Sequence, residues 1–139
     1  MMSVRPVPVE FVHQVWPTVR MSIIASVKES SGESLYSLGA IRQKIAEGTW
    51  ELFVVVDDEN KIHGAGTVEY IHYPMHRVAF ITALGGTKIV SRDTFSQFLS
   101  FVKMARGATL VQAYGRPAIV RLYRRVGLST ANTLVEIRT

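Results

Sequence analysis

One tyrosine interrupts an apolar helical stripe near the C-terminal end of this chain. Ile119, Leu122, Tyr123 and Val126 recur at helical spacing, so Tyr123 sets a phenolic O–H among side chains that can only pack. It is the residue of this stretch whose type could do chemistry, although the same spacing also suits a core tyrosine with its hydroxyl at the edge. The stretch around it, TLVQAYGRPAIVRLYRRVGL from Thr109 to Leu128, reads as a strand, a tight turn and a short basic helix. Thr109 to Tyr114 is β-branched and aromatic, Gly115 and Arg116 break the run, and Pro117 takes a first helical position where its missing N–H costs nothing. Gly127 supplies the left-handed stop. A helix N-terminus at the end of a strand presents unpaired N–H groups and the positive dipole end together, which suits an anion.

A proton acceptor is harder to find. Glu69 is the only carboxylate well inside the strand-like middle of the chain, and a carboxylate there could take a proton from a substrate. An exposed strand residue would read the same way. His72 and His76 lie just beyond it, without metal-ligand spacing to an acidic partner, and read as loop residues.

The elements that must position these groups fit one domain. The chain has 139 residues, 47% of them hydrophobic and 19% charged, which describes a folded protein with a real core. No apolar run reaches membrane-spanning length, and MMSVRPVPVEF has no apolar signal core, so a cytoplasmic location is expected. The absence of cysteine excludes disulfides, thiolate catalysis and zinc–thiolate sites. Acidic and basic residues balance from 1 to 92, and the whole excess of +5 lies beyond. There Lys103, Arg106, Arg116, Arg121, Arg124, Arg125 and Arg138 face only Asp93 and Glu136. That asymmetry suits an anionic partner or a solvated helix face. No aromatic interleaving accompanies the arginines, which argues against nucleic acid.

In order, Ser3 to Val9 suits an edge strand because of its two prolines. Val12, Val15, Trp16, Val19, Ile23 and Val27 fall on one helical face, with Pro17 expected to kink or split the helix. Glu29 to Glu33 is a polar loop, and Ser37 caps a helix that buries Leu38, Ile41 and Ile45 and ends at Gly48. Trp50 to Val56, Lys61 to Ile71 and Arg77 to Leu84 form an antiparallel meander, ended by Gly85 and Gly86. Gly64 and Gly66 suggest a bulge or a close backbone neighbour. Asp93 is the expected cap of a helix with Phe95, Phe98, Leu99 and Val102 inside and Gly107 at its end. Thr133 to Ile137 is the expected last strand. The crossover from the third meander strand to Thr109–Tyr114 must be parallel and right-handed, giving a mixed α/β (α+β) sheet with about four helices.

This element order, with LYRRVGL at 122 to 128, resembles the GCN5-related N-acetyltransferases (GNAT), whose matching helix reads Leu-Tyr, three variable residues, then Gly-Phe. The chain is also similar to short acetyltransferase-like proteins of tailed bacteriophages. The shared residues are Trp16, Tyr73-Pro74, Gly85-Gly86 and Gly115-Arg116-Pro117, spread over nearly the whole length. The resemblance implies a GNAT-like domain over residues 1–139 that takes acetyl-CoA as acyl donor and transfers acetyl to an amine of a small molecule or protein. It implies that Tyr123 protonates the departing thiolate, and it moves the phosphate site from the Thr109–Leu128 unit to the loop before the preceding helix. Leu84, Gly85, Gly86, Thr87, Lys88 and Arg92, with Arg116, then become the cofactor-binding candidates, and Glu69 the base. That loop lacks the family's alternating glycines after an arginine or glutamine. The departure motivates an alternative: a degenerate fold, phage-encoded, in the host cytoplasm or on the virion, that binds a host or virion protein. The two divide on shape. A slot between Thr82–Leu84 and Val111–Ala113 that reaches Tyr123 suits the enzyme, and a filled one does not.

Overall fold

In the computed structural model, which describes residues 1–29, 36–86, 91–115, 117–132 and 135–139, five strands form one sheet in the order β1–β2–β3–β4–β5. These are β1 Ser3–Val7, β2 Trp50–Val56, β3 Ile62–His72, β4 Arg77–Gly86 and β5 Leu110–Ala113. β1 to β4 pair antiparallel, and β5 runs parallel to β4. Helices α1 (Val12–Glu29) and α2 (Leu38–Ala46) precede β2, α3 (Arg92–Met104) makes the crossover from β4 to β5, and α4 (Pro117–Arg125) follows. No helix among the described residues is long and apolar enough to cross a membrane. The loop expected at 30–33, the candidates Thr87, Lys88 and Arg116, and positions 133 and 134 lie outside the described residues.

The meander forms where the apolar period changes to two. β2 is buried almost throughout because both its faces meet helices. Trp50, Leu52 and Val54 look one way, onto Val12, Trp16, Val19 and Ile23 of α1 and Ile41 and Ile45 of α2. Phe53 looks the other way, onto Phe95 and Phe98 of α3, in a cluster that also holds Val68, Ala79, Ile81 and Tyr123. The result is three layers with a core on each side of the sheet. Each large side chain buried there contributes about 1.5–3 kcal/mol.

Local signals account for most boundaries. Ser37 accepts a hydrogen bond from the Ala40 N–H at the start of α2, and Gly48, Gly107 and Gly127 follow their helices with positive φ. Several expectations need correction. Pro17 does not split α1, which stays one helix with the proline inside. It lies in the second turn, where only one backbone hydrogen bond is lost. Ser91, not Asp93, caps α3: its hydroxyl accepts from the Thr94 N–H at 3.1 Å while Thr94 Oγ1 accepts from the Ser91 N–H. Leu99 is 37% exposed, because the inner face of α3 turns through Phe95, Phe98 and Val102. The last β-strand of the sheet is a half-exposed edge rather than a buried strand, and Gly85 and Gly86 are the last two residues of β4, which ends there. Described residues 135–139 are not a strand, and Val135 and Ile137 are exposed. β-branched spacing alone cannot make a strand that has no neighbour to pair with.

Gly85 has to be glycine because α1 lies on top of it. A Cβ there would stand 2.1 Å from the Ser22 carbonyl oxygen, a backbone atom that no rotamer change can move. Gly86, at φ +124, would place a Cβ 2.4 Å from Gly64 Cα and from the His63 carbonyl oxygen. Gly39 in α2, by contrast, has nothing within 4 Å of its would-be Cβ. Gly85→Ala should therefore cost about 1–3 kcal/mol by forcing α1 off the sheet. Gly39→Ala should gain about 0.4–1 kcal/mol from the unfolded state. Urea midpoints moving in opposite directions for the two variants would bear this out, and an unshifted Gly85→Ala would refute the helix–strand contact.

Candidate active site: a cleft where strands four and five diverge

The parallel pairing of β4 with β5 runs from Val78 opposite Leu110 to Ile81 opposite Ala113, and stops. β4 continues through Thr82 to Gly86 with β3 on one side and no strand among the described residues on the other. Just past the last pair, β4 holds an extra residue. Ile81 faces Val68 and Ala83 faces Thr67, so Thr82 is the bulged residue, its hydroxyl 2.7 Å from that of Thr67. Val111 to Ala113 are thus paired residues, and the strands diverge only beyond Ala113, later on β5 than the slot expected between Thr82–Leu84 and Val111–Ala113. A cleft opens at the divergence. It is lined by Ser26 of α1, by Thr82, Ala83 and Leu84 of β4, and by Ile119 and Tyr123 of α4. Its volume is about 30 Å³, room for one or two waters.

Tyr123 is 6% exposed and the one buried residue among the described side chains of α4. Its ring packs edge-on against Phe95 at 6.3 Å between centroids. Its hydroxyl makes no hydrogen bond to a described residue. No fully buried side-chain polar atom lacks a partner among the described residues, so the phenolic oxygen must reach a surface. Tyr123 is one of the residues that line the cleft. Burial pushes the phenol up to about 12, because a phenolate there would lose its hydration. The group is thus a protonated donor across the physiological range.

Beside the cleft, along the same stripe of α4, lies a wider hollow of about 360 Å³, lined by Ser91, Arg92, Leu122, Arg125 and Val126. Arg92 is the first residue of α3 and Arg125 the last of α4, so the hollow is lined by one arginine from each helix. Arg121, Arg124 and Arg125 are exposed and have no carboxylate partner among the described residues. Arg106 differs: its guanidinium grips Glu51 with both Nε (3.1 Å) and a terminal nitrogen (2.7 Å). That charge holds the end of α3 to β2.

Of the residues singled out from the sequence, Tyr123 and Leu84 meet at the cleft and Arg92 lies at the basic hollow. Gly85 and Gly86 are held by their contacts with α1 and β3. Glu69 stands on the α1–α2 face, where its carboxylate accepts from the Trp50 indole N–H at 2.7 Å, while Tyr123 belongs to the core of the opposite face. Glu69 lies two residues along β3 from Thr67, the partner of the cleft residue Ala83. His76 meets Thr109 and His72 meets Arg77, and no group of His and acidic residues among those described could hold a metal. Ser26 is a site residue that the sequence alone does not single out, and Arg125 stands out there only as one of the basic residues of the C-terminal third. The signal for Ser26 is the pair of small residues Ser22 and Ser26, one turn apart in α1, which lets a helix approach a strand closely.

The raised phenol has a consequence for stability. Unfolded tyrosine ionises near 10 and Tyr123 only at about 12. Its contribution is whole below pH 10 and is lost as pH rises from 10 toward 12, by about 1 kcal/mol per pH unit. Tyr70, pushed up by burial and by its hydrogen bond to Glu51, adds in the same direction. Tyr123→Phe removes one of these two losses, so wild type should fall relative to the variant in urea unfolding above pH 10. A constant difference at all pH values would contradict it.

No protein-family model matches the chain, and no curated protein sequence does. Solved structures do. An aminoglycoside acetyltransferase from an uncultured soil metagenomic sample, in complex with sisomicin, superposes with a TM-score of 0.71 at 13% identity. That match covers 99% of this chain and 95% of the other. A predicted acetyltransferase from Clostridium acetobutylicum with acetyl-CoA gives 0.65 at 12% identity, covering 99% and 96%. Ribosomal-protein-alanine N-acetyltransferase from Brucella melitensis biovar Abortus 2308 gives 0.68 at 11% identity, covering 100% and 99%. With its antiparallel meander, its single parallel crossover and these neighbours, the chain has the GNAT-like α+β fold of acetyltransferases.

Proposed function

We propose that this protein transfers an acyl group, acetyl in the simplest case, from coenzyme A to an amine. The observation that carries the reading is the Tyr123 hydroxyl, buried, protonated and without a protein partner among the described residues, opening into the cleft where β4 and β5 diverge. The acyl donor is a substrate here, and it supplies a carbonyl already activated as a thioester.

The residues fit the two ends of such a donor differently. The hollow between Arg92 and Arg125 has the size and charge for a pyrophosphate, with the α3 N-terminus behind it. The cleft, at about 30 Å³, takes the thioester arm only if α4 moves outward. α4 is suited to that, since among its described side chains only Tyr123 is buried. In the reaction the amine lone pair forms the C–N bond as the C–S bond breaks, and sulfur leaves with the bonding pair. Tyr123 gives its proton to that sulfur. The proton lost by nitrogen passes through water to Glu69, whose Oε2 already accepts from Trp50, and solvent restores the phenol. The acceptor side is the α1–α2 face, and the aminoglycoside enzyme among the structural neighbours supports a small-molecule amine as the acceptor class.

A second reading is favoured by one observation. Gly85 and Gly86 are fully accounted for by their contacts with α1 and β3, so the fold could have kept them without a donor and used its unpartnered arginines to bind another protein. Titration calorimetry separates the two. Acetyl-CoA should bind, and Arg92→Ala or Arg125→Ala should each weaken it about 10–100-fold, at roughly 1.5–3 kcal/mol for a hydrogen bond to a charged group. No binding at millimolar acetyl-CoA leaves the protein-binding reading standing. With thiol release followed over a panel of amines that includes an aminoglycoside, Tyr123→Phe should lower kcat about 10²–10⁴-fold with little change in acetyl-CoA affinity. An unchanged kcat would remove Tyr123 from the chemistry.

A further inference from the structure

The cleft holds a second hydroxyl. Ser26 sits in the penultimate turn of α1, 9% exposed, and its Oγ accepts a hydrogen bond from the Leu84 N–H at 2.6 Å. That N–H is on the edge of β4 left free when β5 ends, since Leu84 lies beyond the last β4–β5 pair. A serine in mid-helix usually returns its own proton to the carbonyl one turn back. For Ser26 that would be Ser22, whose carbonyl lies against Gly85, and no such bond forms among the described residues. The Ser26 proton is therefore unspent, and it lines the same cleft as the Tyr123 hydroxyl. An oxygen that accepts a short hydrogen bond is also a better donor.

A cleft with two free O–H donors, one from each face of the sheet, calls for a ligand with two neighbouring electron-rich atoms. Resting on the acyl-transfer reading, we infer that Ser26 is a catalytic residue that hydrogen-bonds the carbonyl oxygen of the thioester, while Tyr123 serves its sulfur. As nitrogen attacks, the carbonyl π pair moves onto oxygen. The Leu84 N–H, relayed through the Ser26 hydroxyl, stabilises that charge, and the pair returns as the C–S bond breaks. No proton leaves Ser26 in this step. The backbone donor of β4 thus acts at one remove, through a side chain from α1.

The test compares coenzyme A with acetyl-CoA, which differ only in the acyl group that Ser26 would touch. Wild type should bind acetyl-CoA about 3–10-fold more tightly than coenzyme A. Ser26→Ala should bring that ratio to about one and leave the affinity for coenzyme A unchanged, and should lower kcat about 10²–10³-fold. The infrared carbonyl stretch of bound acetyl-CoA should lie below that of free acetyl-CoA in wild type and return toward it in the variant. If Ser26→Ala leaves Leu84 unpaired and does not fold, Ser26→Cys, close in size and a weaker donor, should show the same loss to a lesser degree. Equal carbonyl frequencies in wild type and a folded variant, with acetyl-CoA bound to both, would overturn the role of Ser26 and leave acyl transfer intact. Failure of wild type to bind either molecule would overturn both.

Discussion

The contact on which the site depends is backbone against backbone: α1 resting on the end of β4 at Gly85. A strand that outruns its neighbour exposes N–H groups that must find partners or water. Here the missing strand is replaced at one position by a helix. With no side chain at Gly85 to hold it away, α1 comes close enough for Ser26 to take the Leu84 N–H at 2.6 Å. Without that approach, β4 would end in unsatisfied backbone or would pair with another chain. With it, the gap left by β5 stays open as a cleft lined by both Ser26 and Tyr123.

The chain's arginines divide by the same geometry. Arg106 and Arg77 are structural. Arg106 is bound to Glu51, and Arg77 lies over the Tyr70 ring at 5.1 Å and donates to the Arg106 carbonyl at 2.7 Å. Together they tie the end of α3 to β2, β3 and β4, and Tyr70 completes the cluster with a 2.6 Å hydrogen bond to Glu51. The arginines of α4 have no such role. They are exposed, and Arg125 lines the same hollow as Arg92, where a helix N-terminus adds to the field. Charge that stabilises the fold and charge free for a ligand are thus at opposite ends of α3.

Much of this is legible in the residues. The meander, the crossover and the helix stops follow from periods of two and 3.6 and from caps and glycines, all local features. Tyr123 can be singled out because a phenol on an apolar stripe is a local pattern too, whereas Arg92 comes only from the resemblance to a family. Asp93 reads as well as Ser91 for the cap of α3, since both residue types cap helices and only geometry chooses between them. The run from Thr133 to Ile137 has the composition of a strand, yet strand composition describes a pleated surface in search of a partner.

By itself the sequence determined most of the elements, their order and the placing of Tyr123 on the inner stripe of a basic helix, because these rest on neighbours within a turn or two. Tertiary structure alone decided that Gly85 answers to α1, that Glu69 and Tyr123 occupy opposite faces, and that Ser26 enters the cleft. Each of these is a distance between residues far apart in the chain; Ser26 and Leu84 are 58 positions apart and 2.6 Å from one another. No local pattern encodes such a distance, since it is set by how closely a helix can settle on a strand.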